Sequence, residues 1–283
     1  MFSYGSGGLY VLIALGVAAV GVLAAGFVLH KTPLKPPFDF GAVDALIGIV
    51  YGILLAILVL FAAGHYSNAM DHADQEATAL NDMYKAAGPL PPTLRDEIRH
   101  NVVCYAREKI ELEWPDLRKS TGEGSPVVFA RTRELGQLVE NAAAAHPENL
   151  TISTLFQANL QRGTSRQLVL DDSRPQLPGP LWFVVILGIG IVVFLLSLRY
   201  WEERAHLAAA LATSLLLLLA MVGAIAELDR PFASLIGLQP RSMEAVLTSV
   251  VQSSSGGRAA LAPCNDGTQL ASRVRSGAAA STP

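Results

Sequence analysis

The sequence predicts an all-α membrane protein with four transmembrane helices and a helical domain inserted between the second and the third. Three observations predict it. Of 283 residues, 51% are apolar and only 16% charged, against about 25% charged in an ordinary soluble domain. The charge is segregated: four long runs carry no Asp, Glu, Lys, Arg or His, namely residues 9–29, 45–64, 181–198 and 207–226. The intervening stretch shows helical periodicity and no strand-like alternation.

Each run approaches the roughly 20 residues that a helix needs to cross the hydrocarbon core. Backbone groups in lipid must bond internally, so the runs should be helices. The first run has no basic start and is too long for a secretory h-region, so it is read as a retained helix. The expected organisation is transmembrane helices 1 and 2 in 1–64, a helical domain in 65–180, helices 3 and 4 in 181–227, a post-membrane segment in 228–252 and a disordered tail in 253–283. Four spans put both termini and the insert on one side. Lys and Arg near the helix ends balance on the two sides, so charge alone does not orient the chain.

Residues 65–180 carry 16 acidic and 12 basic side chains. That mixture reads as a solvated protein surface, and it lacks the basic stripe of a nucleic-acid binder. Met70, Ala73, Ala77, Leu80, Tyr84 and Ala87 form one apolar stripe, so a single helix should run from the second span to about Ala87, where Gly88-Pro89 stops it. Pro92-Thr93 should open a second helix, with Thr93 and Asp96 as a capping box. Its stripe is Leu94, Ile98, Val102 and Tyr105, and Trp114-Pro115 should end it. Ser125-Pro126 should start a third helix with Val128, Leu135, Leu138 and Ala142 inward. A fourth should follow Pro147 with Ile152, Leu155, Phe156 and Leu160 inward. A short helix is expected near 242–251. Beyond Ser253 the Ser, Gly and Ala composition offers no core, and the tail should be dispensable for folding and assembly.

Chemistry-bearing patterns are sparse. Asp96, His100 and Cys104 share a helix face at spacing four, and Asp71, His72, Asp74 and Glu76 form an acidic cluster. Both read as surface stripes of ordinary helices, and no cofactor or metal is expected. Cys104 and Cys264, the only cysteines, do not make a disulfide framework and suit a reducing compartment. No phosphate loop, nucleophile elbow or paired-Cys zinc spacing occurs, so nothing supports an enzyme. The spans hold no ionisable relay. An apolar lining suits a scaffold or a pore with a hydrophobic constriction. In the second run Gly48, Gly52 and Ala56 make a small-residue ridge for close helix packing, and Ala45, Ile49 and Ile53 lie on the adjacent face.

Several short motifs resemble the bestrophin-like family of bacterial membrane proteins. They are Glu76-Ala77 with Ala79-Leu80 and Tyr84, then Leu90-Pro91, the stretch from Tyr105 to Glu113-Trp114-Pro115, Leu177-Pro178 with Leu181-Trp182, and Leu228-Asp229-Arg230-Pro231-Phe232. The likeness covers about residues 40–250. It implies a pentameric channel for small anions such as chloride, in the bacterial plasma membrane, with cytosolic termini and insert. Gly52 and Tyr66 match a Gly and a Tyr of the bestrophin second helix, a register that implies a neck lined by Ala45, Ile49 and Ile53. Where bestrophins continue after Pro-Phe with an acidic calcium-binding run, this chain has Ala233-Ser234-Leu235-Ile236, so calcium gating is not implied. The rival expectation is a non-conducting membrane-anchored scaffold.

Overall fold

The computed structural model describes residues 5–31, 42–146, 148–234, 237–252 and 263–264. They form nine α-helices: α1 (Gly5–Lys31), α2 (Ala42–Ala86), α3 (Pro92–Glu108), α4 (Trp114–Leu117), α5 (Pro126–Ala145), α6 (Leu150–Asp172), α7 (Gly179–Tyr200), α8 (Arg204–Leu228) and α9 (Arg241–Gln252). A π-helical turn, Lys109–Glu113, joins α3 to α4. No strand occurs among the described residues. The all-α class and the four spans are as expected: α1, α2, α7 and α8 are each long and apolar enough to cross a membrane.

The chain divides into two compact units, one of residues 1–66 and 175–230, the other of 67–174 and 231–283. In the first, α1 packs on α7 and α8, and α7 on α8. Lipid tails are as apolar as the helices, so the hydrophobic effect does not drive this association and close contact must. Glycines permit it. A Cβ placed on Gly21 would lie 2.9 Å from the Gly190 carbonyl oxygen, and one on Gly190 would lie 2.8 Å from Val17. The small residues that matter here are on α1 and α7. From α2 the face Tyr51, Leu55, Leu58 and Ala62 is buried in this unit's core, beside Trp182, Val185 and Ile189 of α7.

The second unit has a water-driven core. Leu80 and Met83 of α2, Ile98 and Val102 of α3, Leu135 and Val139 of α5 and Leu155 of α6 are buried together with Met243, Val246 and Val250 of α9. Each such side chain contributes about 1.5–3 kcal/mol on burial. The helix starts follow local chemistry. Pro92 and Pro126 occupy the first turns of α3 and α5, where a missing N–H costs nothing. Asn149 caps α6 by accepting from the backbone N–H of Thr151 and Ile152 at 2.9 and 3.4 Å. In the loop before α5, Gly122 has φ of +72°, and a Cβ there would strike Arg174 at 1.9 Å. The positive φ favours glycine there, while the exposed Arg174 side chain can move aside.

Several expectations need correction. The Thr93–Asp96 box does not form, because α3 begins at Pro92 and Asp96 instead accepts from Arg95 Nε at 2.9 Å. Trp114-Pro115 does not end the second insert helix; the π turn carries the chain through α4 to Leu117. Leu160 is 49% exposed, because the inward stripe of α6 passes through Asn159 and Arg162 rather than beside them. Pro147 and most of the tail lie outside the described residues. Of the tail, Pro263 and Cys264 are described, and Cys264 is disulfide-bonded to Cys104 of α3.

Candidate functional site

The reading of residues 65–180 as a solvated charged surface is overturned at the centre of the second unit. Glu76, Glu108, Lys109, Glu113, Arg131, Arg162 and Arg166 are all buried. An isolated buried charge is very costly, so each must be paired. Lys109 Nζ lies 2.9 Å from Glu76 Oε2 and 2.6 Å from Glu113 Oε1. Only the Glu113 contact has hydrogen-bond alignment, and Glu76 Oε2 serves as a plain ion-pair partner. Arg166 grips Glu113 with two nitrogens, Nε at 3.2 Å and Nη2 at 2.5 Å, the two-point geometry that suits a guanidinium. The Tyr105 hydroxyl donates a short hydrogen bond to Glu76 Oε1. Arg162 covers the Tyr105 ring, 4.8 Å from its centroid, and binds Asn159. Three cations thus face two carboxylates and one phenol.

These contacts set the titration of the cluster. Burial pushes Glu113 up, but Lys109 and Arg166 outweigh it and hold the carboxyl below its usual range. Burial pulls Lys109 down, while Glu113 and Glu76 more than compensate and hold the ammonium charged well beyond its ordinary range. Tyr105 is raised by burial first and by Glu76 second, which keeps it a hydrogen-bond donor. Gly124 roofs the pair: a Cβ there would lie 2.8 Å from Glu113 Oε2 and 2.9 Å from Arg166 Nη2. A second buried pair stands beside it. Arg131 gives Nε and Nη2 to Glu108 at 3.1 and 2.7 Å and Nη1 to Asn101 at 3.0 Å. Among the described residues no group of three metal-ligating side chains gathers, and His72 pairs with Asp172 at 2.6 Å rather than with Glu76.

The motif residues sort by unit. In the second, Glu76 and Glu113 share Lys109. The Trp114 ring meets Phe232 edge-on at 5.4 Å and gives its indole N–H to the Leu238 carbonyl at 3.0 Å. The Pro231 carbonyl accepts from Leu238 N at 2.8 Å. The Tyr84 ring lies 4.5 Å beneath the Arg99 guanidinium, and Pro115 sits in the first turn of α4. In the first unit, Asp229 accepts from the backbone N–H of Gln176 and Leu177, both at 3.0 Å. Burial still leaves its carboxyl above the ordinary range, against the pull of those two bonds. Trp182 stacks on Tyr10 at 4.0 Å.

On α2, Ile49 and Ile53 are 60% and 56% exposed, and Ala45 is exposed with them. The neighbouring ridge is also uncovered. Gly48, Gly52 and Ala56 are exposed, and a Cβ added at Gly48 or Gly52 meets nothing within 4 Å. Gly48 borders a groove of about 230 Å³ with Val192, Leu196 and Ser214 of α7 and α8. Within one chain, α2 therefore buries its tyrosine–leucine face and leaves both its isoleucine face and its small-residue face open.

Four apolar spans with a helical insert between the second and the third define a polytopic membrane protein. Residues 10–243 match the bestrophin-like domain, and the chain belongs to the bestrophin-like family. No curated protein sequence matches it. Its fold is similar to that of a bacterial bestrophin homolog from Klebsiella pneumoniae. A crystal structure of a single-substitution variant aligns at TM-score 0.61 with 13% identity, covering 84% of this chain and 95% of that one. A second structure of the homolog, phased on zinc, aligns at 0.58 with 13% identity over 84% and 94% of the two chains. A structure described only as a membrane protein aligns at 0.57 with 14% identity over 90% and 98%.

Proposed function

We propose that this chain forms a homo-oligomeric channel, a pentamer by family resemblance, that conducts small anions such as chloride across the bacterial plasma membrane. Its neck is the α2 face Ala45, Ile49 and Ile53, and its termini and insert lie in the cytosol. The observation that carries the reading is α2 itself. One face is committed to the chain's own core, and two adjacent apolar faces are left for other chains and for an axis. The Gly48, Gly52 and Ala56 ridge suits close approach of a neighbouring copy. With no charge in the span, a barrier to ions must come from apolar narrowing and dewetting. The buried ions of the insert hold its helices in register and stay out of the ion path, and the protein has no catalytic role.

The test is ion flux in liposomes reconstituted with Ile49→Ala or Ile53→Ala. Shortening either side chain widens the constriction, so chloride flux should rise while oligomer mass in detergent stays the same. A strongly destabilised oligomer, with flux in parent and variant alike no higher than in protein-free liposomes, would make these residues packing contacts. The chain would then be a non-conducting scaffold.

A further inference from the structure

We propose that Cys104 and Cys264 form a reversible redox latch, a thiol-modification site that ties Cys264 to α3 and is opened by a dithiol reductant. The two cysteines are 160 residues apart and bonded, with their Cα atoms 5.5 Å apart. The two residues differ in exposure. Cys104 is fully buried on α3, while Cys264 is partly exposed. Of the two residues only Cys264 presents surface to a nucleophile from solution. The stripe of Asp96, His100 and Cys104 acquires a role from this asymmetry, though not as a metal site. Asp96 is engaged by Arg95, whereas His100 Nε2 stands 3.6 Å from Cys104 Sγ.

Reduction begins at Cys264. A thiolate of the dithiol attacks Cys264 Sγ and forms a mixed disulfide there. The Cys104–Cys264 bond breaks, and its electron pair leaves on Cys104 Sγ, beside His100 Nε2 at 3.6 Å, and a proton follows it from the reductant's thiol. The second thiol of the reductant then displaces Cys264 Sγ. The protein disulfide gains two electrons and two protons, and the dithiol becomes a disulfide. Departure of the sulfur is faster when its thiolate is stabilised, and an N–H donated by His100 does this against the opposing effect of apolar burial. The partner implied is a thiol–disulfide oxidoreductase or a small dithiol that can approach the C-terminal segment. The chemistry does not depend on the channel reading or on which side of the membrane holds the insert.

The experiment uses the full-length protein in detergent. It is equilibrated natively at stepped ratios of reduced to oxidised dithiothreitol, quenched in acid, then unfolded in denaturant and capped with a polymer-linked maleimide for a denaturing gel. The expected result is two bands, uncapped and doubly capped, that interconvert with the same midpoint from either direction. His100→Gln should then slow reduction several-fold without moving the midpoint of thermal unfolding. Cys264→Ser, capped in the same denaturant, should show a single capped species at every ratio, because Cys104 then has no partner. Protein that stays uncapped at every ratio unless it is unfolded before the equilibration would make the bond a permanent staple and overturn the latch. Double capping at the most oxidising ratio would show that the cysteines do not pair, and would overturn it equally.

Discussion

Lys109 has no exposed surface and holds two carboxylates that come from positions 76 and 113. Removing one partner of a buried pair leaves an uncompensated charge, at a cost of about 3–5 kcal/mol. Lys109→Met should therefore lower the thermal midpoint of the purified protein sharply, although its volume is nearly conserved. A midpoint within a degree or two of the parent would show that the pair contributes nothing to stability. The titration of the cluster has a definite sign. Glu113 is held below its usual range, so its contribution is complete above about pH 4.3 and fades as acid passes its lowered folded value. Lys109 is held above its usual range, so its contribution is complete below about pH 10.4 and fades only as the pH climbs through the raised folded value. Stability attributable to the cluster should be flat from about pH 5 to 10, read as thermal midpoints across buffers. A steady slope traced to Lys109 and Glu113 by their variants would show that the network titrates in that window.

At the scale of the helix, the cluster was half visible in the sequence. Ile152, Leu155, Asn159, Arg162, Arg166 and Val169 follow one another at alternating spacings of three and four, and all are buried. Ala69, Ala73, Glu76, Leu80 and Met83 do the same on α2. A charged residue in register with an apolar stripe is the signal that marks a buried ion, and reading the stripe through apolar residues alone passed over it in favour of Leu160. The partners could not be read, because Arg166 reaches Glu113 across 53 positions and the π turn shifts the register between them. The same limit applies to α2 in the first unit. Its small-residue ridge was legible, but the face used within the chain is the one bearing Tyr51. That ring depends on Gly188 of α7, where a Cβ would lie 2.2 Å from it, and its hydroxyl donates to the Val185 carbonyl at 2.6 Å. Gly188→Ala should displace the ring, break that bond and cost about 1–3 kcal/mol as overpacking. Gly223→Ala on α8 is the contrast, since nothing lies within 4 Å of its Cβ position. It should be neutral or stabilise by up to about 1 kcal/mol. Equal losses from both variants in thermal unfolding would remove Gly188 from the packing account.

At the scale of the whole chain, hydropathy was enough to place the spans, because their signal is local and needs no partner. Orientation was not legible, since the basic residues near the helix ends balance, and the disulfide changes how it must be measured. A thiol reagent that cannot cross the membrane would miss Cys104 and Cys264 in intact cells whichever side they occupy, because both sulfurs are consumed in one bond. An unlabelled parent protein would therefore say nothing. The measurement needs a Cys104→Ser, Cys264→Ser background carrying one added thiol on an exposed residue of the insert. Glu148 serves, as it is exposed beside the N-terminus of α6 and makes no part of the buried ion cluster. If the insert is cytosolic, Glu148→Cys in that background should stay unlabelled in intact cells and label fully once they are permeabilised. A control thiol at Glu202, in the short exposed connection between α7 and α8, should give the opposite pattern, because an odd number of spans separates the two positions. Labelling of Glu148→Cys from outside, with Glu202→Cys protected, would place the insert beyond the membrane. The disulfide would then stand in an oxidising compartment where such bonds persist.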